Sequence, residues 1–209
     1  MKQMFSKLLV ATVASLLFLA GALPVSAEEW SPDGERPGDV VIGDPAAPVT
    51  IYEYASLTCP HCARFHTELL PGFKKGWIDT GKAKLVYRHF PLDKSALAGA
   101  LAVSCLSPEK RADAITRLFK SVSSWAYEED IAGALMQNLP EQQEPTQLIT
   151  CMSAKASSEA VANVAIEASR GGVSGTPTFF VAGHKLEGTA RVVELGRLVD
   201  DALADHLAR

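Results

Sequence analysis

The amino-acid sequence predicts an α/β fold in which a block of helices interrupts the segments that form the sheet. Strand, helix and strand patterns follow one another over residues 49–90 and make a βαβ unit, which implies a parallel pair of strands. Residues 95–171 carry helical patterns without a strand signal, and strand character returns at residues 177–187. We therefore expect an α/β frame with a helical insertion over about residues 95–171.

Residues 1–27 have the pattern of a secretory signal peptide. Two lysines flank the start, residues 8–23 are almost entirely apolar, and a small-x-small cleavage site ends at Ala27. An uncleaved membrane anchor is the alternative, but the apolar run is short of the roughly 20 residues that a span needs. We expect cleavage after Ala27, a mature domain over residues 28–209, and a periplasmic location.

Charge and composition argue against two classes of partner. Removal of the signal peptide takes away Lys2 and Lys7 and changes the formal net charge from −4 to −6. The mature chain has no basic cluster, so nucleic-acid binding is not expected. It also has no second apolar run long enough to span a membrane.

The first half of the mature chain reads as strands around one long helix. Residues 28–39 are polar and contain Pro and Gly, which is typical of a loose leader. β-branched and aromatic residues then predict strands, and these lie at residues 39–42, 49–54 and 82–90. The helix before the last of these strands starts at the cysteines and is interrupted at Pro71-Gly72. Its expected continuation over residues 73–80 has a kink and ends at Gly81.

The second half reads as helices followed by a hairpin and a last helix. The helices of the block are predicted at residues 95–105, 108–122, 128–138, 145–154 and 157–170. Pro108 and Pro145 suit first-turn positions, where a missing N–H removes no bond. The hairpin covers residues 177–187, and an amphipathic helix runs from residue 189 or 191 to residue 209.

The chemistry of the chain centres on Cys59-Pro60-His61-Cys62. Two cysteines at this spacing can close a small disulfide ring or bind a soft metal. The motif lies where a strand gives way to a helix, and the unpaired N–H groups and dipole of a helix N-terminus favour an anion. A Cys59 thiolate is therefore stabilised, which makes Cys59 the expected nucleophile. Cys62 lies one turn inside the helix and is the expected resolving partner.

Cys105 and Cys151 complete a set of four cysteines, all in the mature chain. An oxidising compartment can pair all four, and three connectivities are possible. Redox chemistry favours Cys59 with Cys62, which leaves Cys105 and Cys151 as a structural disulfide by elimination. Two buried free thiols are the alternative.

This element order, with Cys-x-x-Cys after a strand and Thr176-Pro177 before the returning hairpin, resembles the thioredoxin fold. The closer resemblance is to the DsbA family of periplasmic thiol oxidases, and it rests on Glu53, Cys59-Pro-His-Cys62 and residues 173–177. The resemblance implies a thioredoxin-like fold with an inserted helical subdomain and a thiol:disulfide oxidoreductase without a cofactor. It implies exported reduced proteins as substrates and a DsbB-like membrane quinone oxidoreductase as partner. We expect a monomer.

The resemblance also assigns roles to individual residues. Pro60 has the fixed φ of a first-turn position, and a partly protonated His61 would stabilise the neighbouring thiolate, unless it is only a solvated loop histidine. Glu53 alternates with apolar residues along its strand and would exchange protons with Cys62, unless the strand presents it to solvent. Thr176-Pro177 would be a cis peptide whose Thr176 backbone pairs with substrate.

Two alternatives to the oxidase remain open from the sequence. Thr before this proline also occurs among disulfide isomerases, so an isomerase is one alternative. A metal-binding or copper-handling protein is the other, with Cys59, Cys62 and His66 as conceivable ligands. The reactive disulfide competes with chelation, so no metal site is predicted.

Overall fold

The computed structural model describes residues 30–139, 144–188 and 192–208. The predicted signal peptide lies outside these residues, as does the predicted start of the last helix at residue 189 or 191. Within the described ranges, no helix is long and apolar enough to cross a membrane.

The described strands form one five-stranded sheet in the order β1-β3-β2-β4-β5. Its strands are β1 (Val40–Ile42), β2 (Val49–Ala55), β3 (Ala83–His89), β4 (Thr178–Val181) and β5 (His184–Glu187). β2 and β3 are parallel, which confirms the predicted βαβ unit. The other neighbouring pairs are antiparallel, including the predicted β4–β5 hairpin.

One continuous helical segment connects β2 to β3. It consists of α1 (Pro60–Arg64), a π-helical stretch (Phe65–Leu69), α2 (Leu70–Phe73) and a second π-helical stretch (Lys74–Ile78). The helix continues through Pro71 and Gly72, so the predicted interruption there is wrong, while the predicted continuation beyond residue 73 is confirmed. Hydrogen bonding changes from π to α at Leu70, and Pro71 lies in the first turn of α2, where its missing N–H is tolerated.

The helical block follows β3, as predicted. Its helices are α3 (Lys94–Ser104), α4 (Pro108–Lys120), α5 (Ile131–Asn138), α6 (Pro145–Ser153) and α7 (Lys155–Arg170). Pro108 and Pro145 are both in first turns. The side chain of Asp93 caps α3 by accepting a hydrogen bond from the Ala96 N–H at 2.7 Å. After the hairpin, α8 (Val192–Leu207) ends the described chain.

Apolar side chains fill both faces of the sheet and the interior of the helical block. Phe65 and Phe179 meet on one face, while Trp30 and Phe180 meet on the other. The helical block encloses Trp125, whose Nε1 donates to a main-chain carbonyl at 3.0 Å. Cys59 and Cys62 belong to the same cluster of buried apolar side chains as Trp125. They therefore lie where the sheet and the helical block meet.

The leader is held against the sheet rather than loose. Arg88 of β3 is 1% exposed and forms an ion pair with Asp39 at 3.0 Å. Arg36 forms an ion pair with Glu167 of α7 at 2.8 Å. The prediction of a loose leader is therefore wrong for residues 30–39. A buried guanidinium needs a carboxylate close by, and the leader supplies it.

Candidate active site

The structure brings the cysteine motif and the Thr176-Pro177 loop together. Cys59 is the N-cap of α1, with an extended backbone, and Pro60 is the first helical residue. The Thr176-Pro177 peptide bond is cis. The Cys59 Sγ lies 3.4 Å from the main-chain oxygen of Thr176, to which its protonated form can donate, although 117 positions separate the two residues. The two motifs that the sequence singled out thus meet at one sulfur atom.

Hydrogen bonds to the Cys59 sulfur lower its pKa from 9.0 to about 5. The largest contribution is a hydrogen bond from the Cys62 thiol, which outweighs the opposing effect of burial. Thr176 and the main-chain N–H groups of Cys62 and His61 lower the pKa further. The Thr176 hydroxyl is buried and has no hydrogen-bond partner among the described residues. At neutral pH, Cys59 is therefore ionised.

Cys62 has the opposite electrostatic environment. Its side chain is fully buried. Burial raises the pKa of the Cys62 thiol well above 9.0, and repulsion from Glu53 and from the Cys59 sulfur adds to this effect. The site therefore holds one thiolate and one thiol. The structure has both cysteines free, which is the reduced state of the pair.

Pro60 and His61 are both exposed at the start of α1. The main-chain N–H of His61 contributes to the low pKa of Cys59. The His61 imidazole is not among the groups that lower the pKa of Cys59, so the role predicted for this side chain stays a prediction.

Glu53 lies on β2 with its side chain fully buried, on the strand face that carries Ile51 and Ala55. Its carboxylate contacts the Nε2 of His66 at 2.9 Å and 3.2 Å. His66 was not predicted from the sequence as the partner of Glu53. The available signal was the spacing of His66 four residues after Cys62, because residues four apart share a helix face.

Cys105 and Cys151 form a disulfide in the structure, with their Cα atoms 5.9 Å apart. The bond links the end of α3 to α6 and so connects two helices of the block.

The described side chains do not support the metal-binding alternative. No group of three or more His, Cys, Asp or Glu residues there is arranged to hold a metal ion. His66, the third ligand in that hypothesis, is bonded to Glu53 instead.

Residues 35–201 of the chain match the thioredoxin family. The match covers well over half of the chain, so the chain belongs to this family. Solved DsbA structures resemble it over most of its length. The predicted thioredoxin-like fold and the resemblance to the DsbA family are both confirmed.

Two relatives are similar in sequence to most of this chain. A Rickettsia typhi protein named as a protein-disulfide oxidoreductase is 30% identical over 172 residues, or 80% of this chain. The match spans only 63% of the length of that relative. A Bacillus anthracis disulfide bond formation protein D is 26% identical over 152 residues, covering 68% of this chain and 69% of the relative.

Among solved structures, alpha-DsbA1 of Wolbachia pipientis is 29% identical with a TM-score of 0.70, covering 83% of this chain and 95% of its own. DsbA of Chlamydia trachomatis is 27% identical with a TM-score of 0.66, covering 80% and 90%. A protein-disulfide isomerase of Novosphingobium aromaticivorans is 26% identical with a TM-score of 0.66, covering 78% and 99%.

Proposed function

We propose that this chain is a thiol:disulfide oxidoreductase that introduces disulfide bonds into exported proteins through Cys59 and Cys62. One observation carries the proposal: the two sulfurs are poised in opposite ionisation states, with the reactive one against a cis-proline loop. The names of the similar proteins agree with dithiol–disulfide exchange.

The reaction begins with the oxidised Cys59–Cys62 disulfide. A substrate thiolate attacks the Cys59 sulfur, so that a substrate–Cys59 disulfide forms and Cys62 leaves as a thiolate that takes up a proton. A second substrate thiolate then attacks the substrate sulfur of this mixed disulfide. The substrate leaves with its new disulfide, and Cys59 leaves as a thiolate. Two electrons pass from the substrate to the cysteine pair.

The direction of thiol–disulfide exchange follows from the ionisation of Cys59. A group with a pKa of about 5 is a good leaving group, and its thiolate is stable at neutral pH. Both effects favour the reduced form of the pair over the disulfide. The disulfide is therefore expected to oxidise substrate thiols, which is the behaviour of a donor and not of a reductase.

Thr176 is the proposed contact for the substrate backbone. Its carbonyl reaches the Cys59 sulfur, and it is only partly buried. An extended substrate segment beside this loop could pair with the Thr176 backbone as an added strand while its cysteine meets Cys59. Pro177 would hold this backbone in place.

The proposed setting is the periplasm, reached through the signal peptide at residues 1–27. A membrane quinone oxidoreductase of the DsbB type would reoxidise the Cys59–Cys62 pair after each turnover. We expect the mature protein over residues 28–209, including the helical insertion, to act as a monomer. Mass analysis of the exported protein tests the cleavage after Ala27, and light scattering tests the monomer.

The deciding experiment combines peptide oxidation with a measured reduction potential. Wild-type protein should oxidise a dithiol peptide, and Cys59→Ser should abolish this activity. The double change Cys105→Ser with Cys151→Ser is the matched control, because it removes two cysteines outside the motif and should keep the activity. Peptide oxidation unaffected by Cys59→Ser would overturn the proposal. Stoichiometric copper in the purified protein, without thiol exchange, would favour metal handling instead.

An isomerase is the second candidate, favoured by the threonine before Pro177 and by the Novosphingobium structure. A substrate with scrambled disulfides separates the two functions. An oxidase should act on reduced substrate much faster than it repairs scrambled bonds. The reverse order of rates, with a less oxidising potential, would assign the isomerase.

A further inference from the structure

Beneath the two cysteines lies a buried acid–imidazole pair, which we call the buried pair and which consists of Glu53 and His66. The exposed fractions of the two side chains are 0% and 1%. The His66 Nε2 is within hydrogen-bonding distance of both carboxylate oxygens, at 2.9 Å and 3.2 Å. The His66 ring is stacked on Phe119 of α4, with centroids 4.5 Å apart and planes at 26°. Both members are therefore held in one arrangement.

The second ring nitrogen of His66 indicates which proton the imidazole carries. Its Nδ1 is buried and has no hydrogen-bond partner among the described residues. An Nδ1–H would be a buried donor left without an acceptor, which is costly. A neutral ring with its proton on Nε2 avoids this cost and donates to Glu53. The geometry thus favours His66 as a neutral donor to a carboxylate.

The other groups that face the buried pair come from every packed element. Cys62 faces it from α1, and the charge of Glu53 acts on the Cys62 sulfur. Tyr87 lies opposite Glu53 on β3, and its hydroxyl is also within the field of the two cysteines. Phe179 lies opposite Glu53 on β4, and Phe119 covers the His66 ring from α4. Among these described groups, His66 is the one bonded to the Glu53 carboxylate.

We propose that His66 is a positioning residue that keeps Glu53 ready to exchange a proton with Cys62. The proposal rests on the proposed function, and it goes beyond the role predicted for Glu53 by naming the group that controls it. The Nε2–H stays on one carboxylate oxygen, and the other oxygen takes or gives the proton. The widened π-helical turn that contains His66 directs the ring toward β2, and such turns are frequent at functional sites.

The proton step balances in both directions. When the pair of cysteines is reoxidised, the Cys62 thiol gives its proton to the Glu53 carboxylate and becomes the thiolate that attacks the Cys59 sulfur of a mixed disulfide. The bound thiol leaves as a thiolate, and the Cys59–Cys62 bond forms. In substrate oxidation the Cys62 thiolate leaves and takes the proton back from Glu53. His66 neither gains nor loses a proton.

The test follows the release of a bound thiol by Cys62. Reduced protein is mixed with an excess of a peptide disulfide, so that a first phase reports attack by Cys59 and a second phase reports release by Cys62. Without the His66 donor, the Glu53 carboxylate loses the one side-chain hydrogen bond that the described residues give it. In His66→Leu the midpoint of the second phase should therefore rise by about one to two pH units, from the strength of a hydrogen bond to a charged group. At a pH below the wild-type midpoint, the second phase should be about tenfold slower or more.

Matched variants separate positioning from packing. His66→Gln keeps an N–H donor and should restore much of the wild-type midpoint. His89→Gln changes another buried histidine, which touches Tyr87 and not Glu53, and should leave the midpoint unchanged. Glu53→Gln should remove the pH dependence that His66→Leu shifts. A midpoint that is the same in wild type and His66→Leu would overturn the inference.

Failure of this inference can be distinguished from failure of the proposed function and from misfolding of a variant. Absence of the first phase in wild type would mean that the proposed function has failed, while a normal first phase with an unshifted second phase means that only this inference has failed. Should His66→Leu not fold, the wild-type protein still decides, because nitrogen NMR reports the ring state. A neutral ring protonated at Nε2 in both redox states supports the inference, and a proton on Nδ1 contradicts it.

Discussion

The pKa of Cys59 predicts that its alkylation differs strongly from that of an ordinary thiol at pH 5, and hardly at all at pH 7. At pH 7 a thiol with a pKa of about 5 is about 99% ionised, against about 1% for a thiol at 9.0. This gain of about 100-fold is offset by a loss of about 40- to 100-fold in intrinsic nucleophilicity. At pH 5 the ionised fractions differ by about 5,000-fold, so that Cys59 reacts about 50- to 125-fold faster.

The perturbation that tests the cause is a pair of changes at Cys62. Cys62→Ala removes the hydrogen bond that contributes most to the low pKa of Cys59. A hydrogen bond to a charged group contributes about 1.5–3 kcal/mol, which is about one to two pH units. The midpoint of alkylation should therefore rise to about 6–7. Cys62→Ser keeps a donor at the same place and should stay nearer to 5.

The assay is iodoacetamide labelling between pH 4 and pH 9, followed by intact mass. The Cys105–Cys151 disulfide stays closed, so Cys59 is the one reactive thiol in either variant. The same Cys62→Ser protein unfolded in urea supplies the ordinary thiol for reference. A midpoint near 8–9 in the folded Cys62→Ser protein would refute the predicted thiolate. Equal midpoints in the two variants would refute the hydrogen bond as its cause.

Three further predictions concern stability and are measured by urea unfolding. Replacing Cys105 and Cys151 by alanine opens a bridge with a sequence separation of 46 and should lower the free energy of unfolding by about 4 kcal/mol. Arg88→Met leaves the Asp39 carboxylate buried without its partner and should cost about 3–5 kcal/mol, with part of the loss recovered by adding Asp39→Asn; full stability in Arg88→Met would contradict this. Burial lowers the pKa of His89 from 6.5 to about 3. The stability that comes from keeping this histidine neutral is therefore fully present above pH 6.5. As the pH falls from 6.5 to about 3, the free energy of unfolding drops by up to about 1.4 kcal/mol per pH unit. His89→Gln should flatten that acid slope, and an unchanged slope would assign it to other groups.

Local sequence patterns were sufficient for most of the fold. The β-branched run of β2 and the first-turn prolines of α4 and α6 act within a few residues of themselves, so the sequence shows them directly. The leader could not be predicted in this way. Its polar residues suggest a free segment, but Asp39 is ordered by Arg88, which lies 49 positions away on β3. The need of a buried charge for a partner overrides the local preference.

The candidate site likewise contains features that depend on nearby residues and features that depend on distant partners. Cys59 could be singled out because its reactivity depends on its own helix start, and helix starts are visible in sequence. The pairing of Glu53 with His66 depends on which way a π-helical turn points one ring, and no local pattern in the chain encodes that turn. The alternation along β2 did predict a buried acid, and a buried carboxylate calls for a donor nearby. That requirement limits the search to the helical face that covers β2, along α1 and the π-helical stretch that follows it. There a histidine four residues after Cys62 is the natural partner, so the signal for His66 comes from combining the strand and helix patterns.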